Sequence, residues 1–405
     1  MADRDVCIVG YARTPVGGLS GTLSEFSAVD LGAKAIAAAV ERAGIAPNSV
    51  EEVYMGLVLS AGIGQAPARQ AALKAGLGEA VPCTTINKVC SSGLKAVQIG
   101  AISIQSGLRD IVVAGGMESM SNSPYIAPAM RRGARMGDSA LQDTIMRDGL
   151  TDSCGTTLLG QAMGMSAELC CQDHDISRAD LDAHATASYQ RSMAATAAGK
   201  FKAEIVPVNV KRGTVTEDEE VSRSGASDGV LDKLSKMKPA FKRNGGIVTA
   251  GNSSTISDGG AAFVLCTRKK AKELNLKIHA VVRGMADAAQ VSEKFTTSPA
   301  IAIPKALDSA GVRIQDVDFF EINEAFSAVS VANNKLLGLN PEKVNVYGGS
   351  VSIGHPIGAS GARILCTMIS VLSQEGGRLG VVGICNGGGG ASALVIESGA
   401  PRAKL

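Results

Sequence analysis

Reactive and proton-carrying side chains fall in four short segments, each crowded with small residues. Cys90 sits in Asn87-Lys88-Val89-Cys90-Ser91-Ser92-Gly93-Leu94-Lys95, where an apolar approach gives way to small polar residues and a helical pattern. A cysteine at a helix N-terminus feels the positive end of the dipole and unpaired N–H groups, which favours the nucleophilic thiolate. The same residue also reads as a small buried hydrophobe. His355 lies in Gly348-Gly349-Ser350-Val351-Ser352-Ile353-Gly354-His355-Pro356-Ile357-Gly358, four glycines and a proline around one imidazole. Backbone without Cβ lets a ligand approach closely, and proline fixes the chain beside the ring. Cys385 follows Gly380-Val381-Val382-Gly383-Ile384 and precedes Asn386 and four glycines. A thiol at a strand end beside bare N–H groups can serve as nucleophile, as base or as neighbour to an oxyanion. It also reads as a buried turn cysteine. Asn323-Glu324-Ala325-Phe326 begins where the apolar run Asp318 to Ile322 ends, a usual place for a site in α/β folds. There Asn323 reads equally as a helix N-cap.

These segments need a framework, and the framework is a repeat. Residues 39–56 read AVERAGIAPNSVEEVYMG and residues 306–323 read ALDSAGVRIQDVDFFEIN. Ala43-Gly44 and Val50 align with Ala310-Gly311 and Val317 at one offset. Both segments read as a helix closed by glycine, a short turn and an apolar strand. Ser92-Gly93-Leu94-Lys95 opens a helical run that ends near Gly107 and leads to Ile111-Val112-Val113. At nearly the same offset, Ser360-Gly361-Ala362-Arg363 opens one that ends near Gly376 and leads to Gly380-Val381-Val382. Two such matches predict two similar α/β halves. The short Val/Ile-rich strands alternate with helices, which predicts mostly parallel sheets buried on both faces. Residues 121–245 break the pattern with the charge run Glu217-Asp218-Glu219-Glu220 and little alternation. They read as an insertion, mostly helical and loop-rich. The predicted organisation is an N-terminal half over 1–120 completed by 246–275, the insertion over 121–245, and a C-terminal half over 276–405. Cys90 and His355 precede equivalent helix starts. Pseudo-symmetric halves would bring their loops to one interface, as a thiol and its base require.

Composition narrows the function. The chain has 405 residues, 45% of them apolar, enough for at least two sizeable cores. Lys and Arg number 40 against 38 Asp and Glu, so no global field draws in nucleic acid or an anionic membrane. Trp is absent and Tyr and Phe are few, which disfavours stacking on bases. Val344–Ala362 and Leu379–Ile396 contain no Asp, Glu, Lys or Arg, but glycine breaks both. They read as strand–loop–helix or strand–loop–strand pieces rather than membrane spans. The amino terminus enters directly into the apolar run Val6 to Gly10, without a signal h-region, and nine cysteines read as reduced thiols of an intracellular chain. Cys170-Cys171 with His174 lacks a second pair at metal spacing, and a Met and Leu helix face from Leu158 to Leu169 explains that neighbourhood better. No phosphate loop or dinucleotide fingerprint is present. Arg131, Arg132 and Arg135 read as a solvated loop.

Taken in order, the four segments resemble the active-site loops of the thiolases: Val89-Cys90-Ser91-Ser92-Gly93, Asn323-Glu324-Ala325-Phe326, Gly354-His355-Pro356 and Cys385-Asn386-Gly387. The likeness runs from Val6 to Glu397 and is greatest to the short-chain acetoacetyl-CoA thiolases, the acetyl-CoA C-acetyltransferases. It implies a five-layered αβαβα fold of the α/β class, two duplicated halves with an inserted loop domain. It implies condensation of two acetyl-CoA to acetoacetyl-CoA and CoA, and the reverse thiolysis, in lipid metabolism and the supply of isoprenoid or sterol precursors. Under it Cys90 carries the acetyl group, His355 takes the Cys90 proton and Cys385 is the second acid/base. A water held by Asn323 stabilises the enolate oxygen together with His355. The N–H groups of Cys90 and Gly387 stabilise the tetrahedral intermediate.

CoA is then a co-substrate, with no tightly bound cofactor. Ser254, Lys233, Arg223, Met163 and Phe295 fall at CoA- or acyl-contacting positions. The family often has His where Ala162 stands, so that contact changes here. Phe295 resembles the potassium-responsive subgroup, in which Tyr189 and the carbonyls of Ala250, Gly251, Ser253 and Val351 match the ion's ligands. Homodimers or homotetramers are the family's usual assembly. A broader-range 3-ketoacyl-CoA thiolase and a catalytically silent acyl-CoA- or lipid-binding relative are the alternatives. A ketosynthase, which pairs its Cys with two His, fits less well. The tail Ala403-Lys404-Leu405 resembles a peroxisomal address, with a cytoplasmic location as the other reading.

Overall fold

The computed structural model describes residues 4–133, 135–225 and 233–399. Nine strands form its framework: β1 (Val6–Arg13), β2 (Glu52–Gly56), β3 (Cys83–Ile86), β4 (Ile111–Ser119), β5 (Ser257–Thr267), β6 (Ala280–Ala289), β7 (Phe319–Ile322), β8 (Leu379–Asn386) and β9 (Gly390–Ser398). They run in the order β7-β8-β9-β6-β1-β5-β4-β2-β3, and the short strand Gly17–Gly18 pairs with β5.

That order is a duplication written in hydrogen bonds. In the first half β1 pairs antiparallel with β5, β5 antiparallel with β4, and β4 parallel with β2. In the second, β6 pairs antiparallel with β9, β9 antiparallel with β8, and β8 parallel with β7. A single parallel bridge, Phe320 to Val344, stands where β3 has its place in the first half. The halves join edge to edge through only two residue pairs, Cys7 with Val281 and Ile8 with Ala280. The sheets are therefore mixed rather than mostly parallel, because each half returns two antiparallel strands beside its βαβ unit.

The described residues hold eight helices of eight residues or more: α1 (Ala28–Ala43), α2 (Pro67–Lys74), α3 (Ser92–Gln105), α4 (Met163–Asp173), α5 (Arg178–Ala197), α6 (Pro299–Ala310), α7 (Ser327–Leu337) and α8 (Ser360–Gln374). Ser27 and Asp30 form a capping box at the start of α1. Gly44 and Gly311 close α1 and α6 in the left-handed conformation, the two glycines that the repeat aligns. Three apolar cores separate the layers. One lies under α1 and α2, one under α6 and α7, and the largest holds α3 and α8 between the two sheets. α8 is buried continuously from Ser360 to Leu372, as a helix covered on both sides must be.

Close approach at glycine fixes both the layers and their crossing. β1 and β6 each carry a register shift, at Gly10 and at Gly284. A Cβ on Gly10 would lie 2.3 Å from the Ala39 oxygen, and one on Gly284 2.5 Å from the Ala306 oxygen. The two helices of the middle layer meet at their first turns. A Cβ on Gly361 would lie 2.6 Å from the Leu94 nitrogen, and one on Gly93 3.0 Å from the Ala362 nitrogen. This crossing puts the loops that precede α3 and α8 against each other.

The region between β4 and β5 holds α4, α5 and two short hairpins, Tyr125–Ile126 with Gln142–Asp143 and Val208–Val210 with Gly213–Val215. α4 begins only at Met163, so Leu158 and Leu159 lie outside the helix, and Leu159 is exposed. Cys170 and Cys171 are buried among Ala167, Ile176, Leu181 and Val248, an apolar cluster. Arg13 ties this region to β1. It is fully buried and donates to Glu204 at 2.6 Å and to both Asp218 oxygens at 2.7 and 2.9 Å. Among the described residues no helix is long and apolar enough to cross a membrane. The tail tripeptide Ala403-Lys404-Leu405 lies outside the described residues.

Candidate active site

Cys90 is presented by a turn whose geometry is over-determined. Val89 adopts φ 48°, a left-handed conformation unfavourable for a β-branched residue. Hydrogen bonds hold it there. Asn87 Oδ1 accepts from the Val89 N–H at 3.0 Å, and Ser92 Oγ accepts from the Lys88 N–H at 2.8 Å and donates to the Val89 oxygen at 2.6 Å. From the other half, Asn386 Oδ1 lies 2.9 Å from Ser91 Oγ. The turn is thus clamped from both sides of the seam.

Sequence reasoning leaves Cys90 open between a thiolate at a helix N-terminus and a small buried thiol. The structure favours the second. Burial pushes the Cys90 thiol up to about 11, although the N–H groups of Gly387 and of Cys90 itself favour the thiolate. Desolvation outweighs the dipole, so the resting group is a thiol that needs a base.

His355 has the features of that base. It is buried, and its Nδ1 lies 2.6 Å from Ser360 Oγ. Ser360 Oγ also lies 2.9 Å from the Pro356 oxygen; with its one proton directed there, Nδ1 carries hydrogen and donates to Ser360. Nε2 is then a bare acceptor, buried and without a hydrogen-bond partner among the described residues. Burial, and after it the charge of Arg363, lowers the imidazole to about 3. The ring rests neutral.

A cavity of about 50 Å³ brings together Cys90, His355, Gly387, Met163, Phe295, Ser254 and Phe326. It adjoins a larger one of about 510 Å³, lined by Ala162, Met163, Arg223, Ala250, Ser253, Ser254 and Phe241. Apolar surface predominates in both, so substrate entering would displace water from the reacting atoms.

Cys385 lies at the end of β8, fully buried in the core with Met163, Phe295 and Ala325. Burial holds its thiol well above the ordinary range, and the charge of Cys90 adds to this. Asn323 follows β7. It is not an N-cap, because α7 begins at Ser327 behind Phe326. Its Oδ1 accepts from Ser350 Oγ at 2.6 Å, and its Nδ2 is buried without a partner among the described residues. The site thus holds one orphan donor, Asn323 Nδ2, and one orphan acceptor, His355 Nε2.

The remaining candidates scatter more widely. Tyr189 and Val351 share an apolar cluster with Leu234, and a Cβ on Gly251 would meet Leu234 and Met237. The Tyr189 hydroxyl donates to Glu220 at 3.2 Å. Arg223 pairs with Glu220 at the larger cavity. Lys233 is exposed.

Two buried carboxylates were not singled out by sequence reasoning. Glu324 accepts from Ser188 Oγ at 2.7 Å, Asn345 Nδ2 at 2.9 Å and the Val351 N–H at 3.1 Å, and lies 3.1 Å from His184 Nε2. Burial raises its pKa, but His184 and these bonds outweigh it and hold the group at about 2. Glu118 accepts from the N–H groups of Val58, Leu59 and Gly358. It anchors the loop that carries His355, and burial raises it to about 7. The only sequence signal for Glu324 was its place beside Asn323. Glu118 gave none.

The chain as a whole is similar to known proteins. The family model described as thiolase, N-terminal domain, matches residues 6–269, and that described as thiolase, C-terminal domain, matches residues 276–398. Acetyl-CoA acetyltransferase 2 of Arabidopsis thaliana is 54% identical over 403 residues, covering 97% of each chain. An acetyl-CoA acetyltransferase of Schizosaccharomyces pombe is 51% identical, covering 98% of this chain and all of its own. A crystal structure of Acat5 thiolase from Ascaris suum in complex with coenzyme A superimposes with a TM-score of 0.91. It is 43% identical and covers 97% of this chain.

Proposed function

The chain belongs to the thiolase family, and from that premise we propose that it is an acetyl-CoA C-acetyltransferase. It condenses two acetyl-CoA to acetoacetyl-CoA and CoA, and runs the reverse thiolysis, through an acetyl-Cys90 intermediate. The observation that carries this is the buried pair of a neutral His355, with Nε2 bare, and a Cys90 thiol beside the Gly387 N–H. His355 takes the thiol proton as the sulfur attacks, so neither charge forms alone in the apolar cavity. The N–H groups of Cys90 and Gly387 receive the developing oxyanion. Cys385 gives its proton to the departing CoA thiolate and, as the thiolate so formed, removes the α-proton of the second acetyl-CoA, while His355, holding the Cys90 proton on Nε2, and a water held by Asn323 stabilise the enolate oxygen. Ser254, Met163, Phe295 and Arg223 take the acyl and pantetheine portions along the two adjoining cavities, with Lys233 toward the nucleotide phosphates.

Finer assignments belong to the same reading. Residues 1–120 with 246–275 form one half, 121–245 the insertion and 276–405 the other half. Potassium binds through Tyr189 and the carbonyls of Ala250, Gly251, Ser253 and Val351. In support, Ala250 and Ser253 edge the larger cavity, and carbonyl oxygens suit a hard cation. The enzyme is a homodimer or homotetramer. Tyr125, Met130, Met136 and Leu141, on or between the strands of one hairpin, are exposed apolar side chains that a partner subunit would cover. The tail Ala403-Lys404-Leu405 directs the protein to peroxisomes, where its product supplies isoprenoid and sterol precursors.

Thiolysis of acetoacetyl-CoA and of 3-ketohexadecanoyl-CoA, each in potassium and in sodium, tests the reading. Activity confined to the four-carbon substrate and raised by potassium is expected. Comparable turnover of the long substrate would move the enzyme to fatty-acid β-oxidation, and no turnover of either would end the enzymatic reading. Removal of Ala403-Lys404-Leu405 should shift a tagged protein to the cytosol.

A further inference from the structure

We propose that Ser350 is a positioning residue that sets the orientation of the Asn323 amide, so that Nδ2 rather than Oδ1 faces the water that stabilises the enolate oxygen. This rests on the reaction proposed above. An asparagine amide is nearly symmetric in shape, and either end can face a site unless a partner discriminates. Here the discrimination is visible. Ser350 is fully buried and its hydroxyl donates to Asn323 Oδ1 at 2.6 Å. An oxygen that accepts this bond leaves both Nδ2 hydrogens on the opposite side, where the amide has no partner among the described residues.

Ser350 is itself held so that it must donate there. It opens the short helix Ser350–Ile353. Glu324 clamps that helix by accepting from the Val351 N–H at 3.1 Å, and a Cβ on Gly349 would lie 2.3 Å from the Glu324 carboxyl carbon. Behind Ser350 lies the buried guanidinium of Arg363, with Nη2 3.5 Å from Ser350 Oγ. Arg363 can only donate, so a proton of Ser350 aimed back at it would meet another proton. The hydroxyl is left with Asn323 as its acceptor. Donation to Oδ1 also polarises the amide and makes its N–H groups better donors to that water. Without the hydroxyl the amide can turn over, and Oδ1 would then accept from the water, taking a hydrogen that the enolate oxygen needs.

The test is Ser350→Ala measured on separate steps. Exchange of the acetyl-CoA α-protons in D2O and the kcat for condensation report enolate formation. Exchange of labelled CoA into acetyl-CoA reports acetyl transfer to Cys90, which does not use Asn323. Ser350→Ala should lower α-proton exchange and condensation by about tenfold, the usual weight of one hydrogen bond acting in a transition state. Acetyl transfer should stay within about twofold of the wild type. In an Asn323→Ala background Ser350→Ala should have no further effect, since it acts through that amide. Ser350→Thr, which keeps the hydroxyl, should retain most of the exchange rate. Unchanged exchange in Ser350→Ala, an equal loss in the Asn323→Ala background, or an equal loss of acetyl transfer would each overturn the proposal. A wild-type enzyme that exchanges no α-protons would instead refute the proposed reaction, and the role of Ser350 would fall with it.

Discussion

Replacing Ser360 with alanine tests the protonation state on which catalysis depends. Ser360 Oγ lies 2.6 Å from His355 Nδ1 and donates its own proton to the Pro356 oxygen. In that arrangement it favours the tautomer with hydrogen on Nδ1 and a bare Nε2. In Ser360→Ala that N–H would be buried without an acceptor, which costs about 1–3 kcal/mol. Nε2 has no partner among the described residues either, so hydrogen there is no better paired. The variant therefore loses the preference for hydrogen on Nδ1, about 1–3 kcal/mol or roughly five- to 150-fold in population, and with it the bond that orients the ring. With tautomer and orientation both released, acetyl transfer to Cys90 should fall by about tenfold. The fold should persist, because the change removes one oxygen from the first turn of a helix and opens little space. The assay is the single-turnover rate of acetyl transfer from acetyl-CoA at neutral pH, where the unperturbed ring would already be mostly neutral and the buried one wholly so. Transfer by Ser360→Ala within about twofold of the wild-type rate would refute the tautomer argument.

Cys385→Ala should still form the acetyl-enzyme and lose condensation and thiolysis. Mass spectrometry of intact protein after acetyl-CoA treatment distinguishes the two steps, and an unacetylated variant would count against that division of labour. Arg13→Ala strands two buried carboxylates, Glu204 and Asp218. It should destabilise the chain by about 3–5 kcal/mol, read as an earlier denaturant midpoint; no shift would mean water reaches the pair. Glu118 has its pKa raised from 4.5 to about 7. Its stabilising contribution is therefore full below the unfolded pKa and is lost as pH rises through about 7, a change on the order of 3 kcal/mol. Glu118→Gln should flatten that part of the stability profile between pH 5 and 7; an unchanged slope would show that other groups set it.

The duplication was legible because its signals are local and chemical. Gly44 and Gly311 end equivalent helices since only a residue without Cβ enters the left-handed cap cheaply. Ser92-Gly93 and Ser360-Gly361 open equivalent helices for a reason the sequence does not display: the two helices touch there, and larger residues would collide. The antiparallel strands β5 and β9 were harder to place. Each is read as one more apolar run, and only pairing with strands far away in sequence makes the sheets mixed. In the site, Cys90, His355, Asn323 and Cys385 stood out by composition around them. Glu118 did not, because its partners are backbone N–H groups contributed by the Val58–Leu59 and Gly358 loops. The charge state of Cys90 was left open for a related cause. A helix N-terminus is visible in sequence, while the burial that outweighs it is a property of two halves packed together.

That packing also explains why the nucleophile and its base come from different halves. The loops before α3 and α8 occupy equivalent positions, and the Gly93–Gly361 crossing forces them together. Identical loops would put two like groups face to face. Here one loop carries a thiol and the other an imidazole, so a symmetric crossing yields an asymmetric proton-transfer pair. Each half then supplies what orients the other's group. Asn386 of the second half holds the turn of Cys90, and Glu118 of the first half holds the loop of His355. A change at the crossing that moved one helix would shift both groups together, and the reaction would be lost before the fold was.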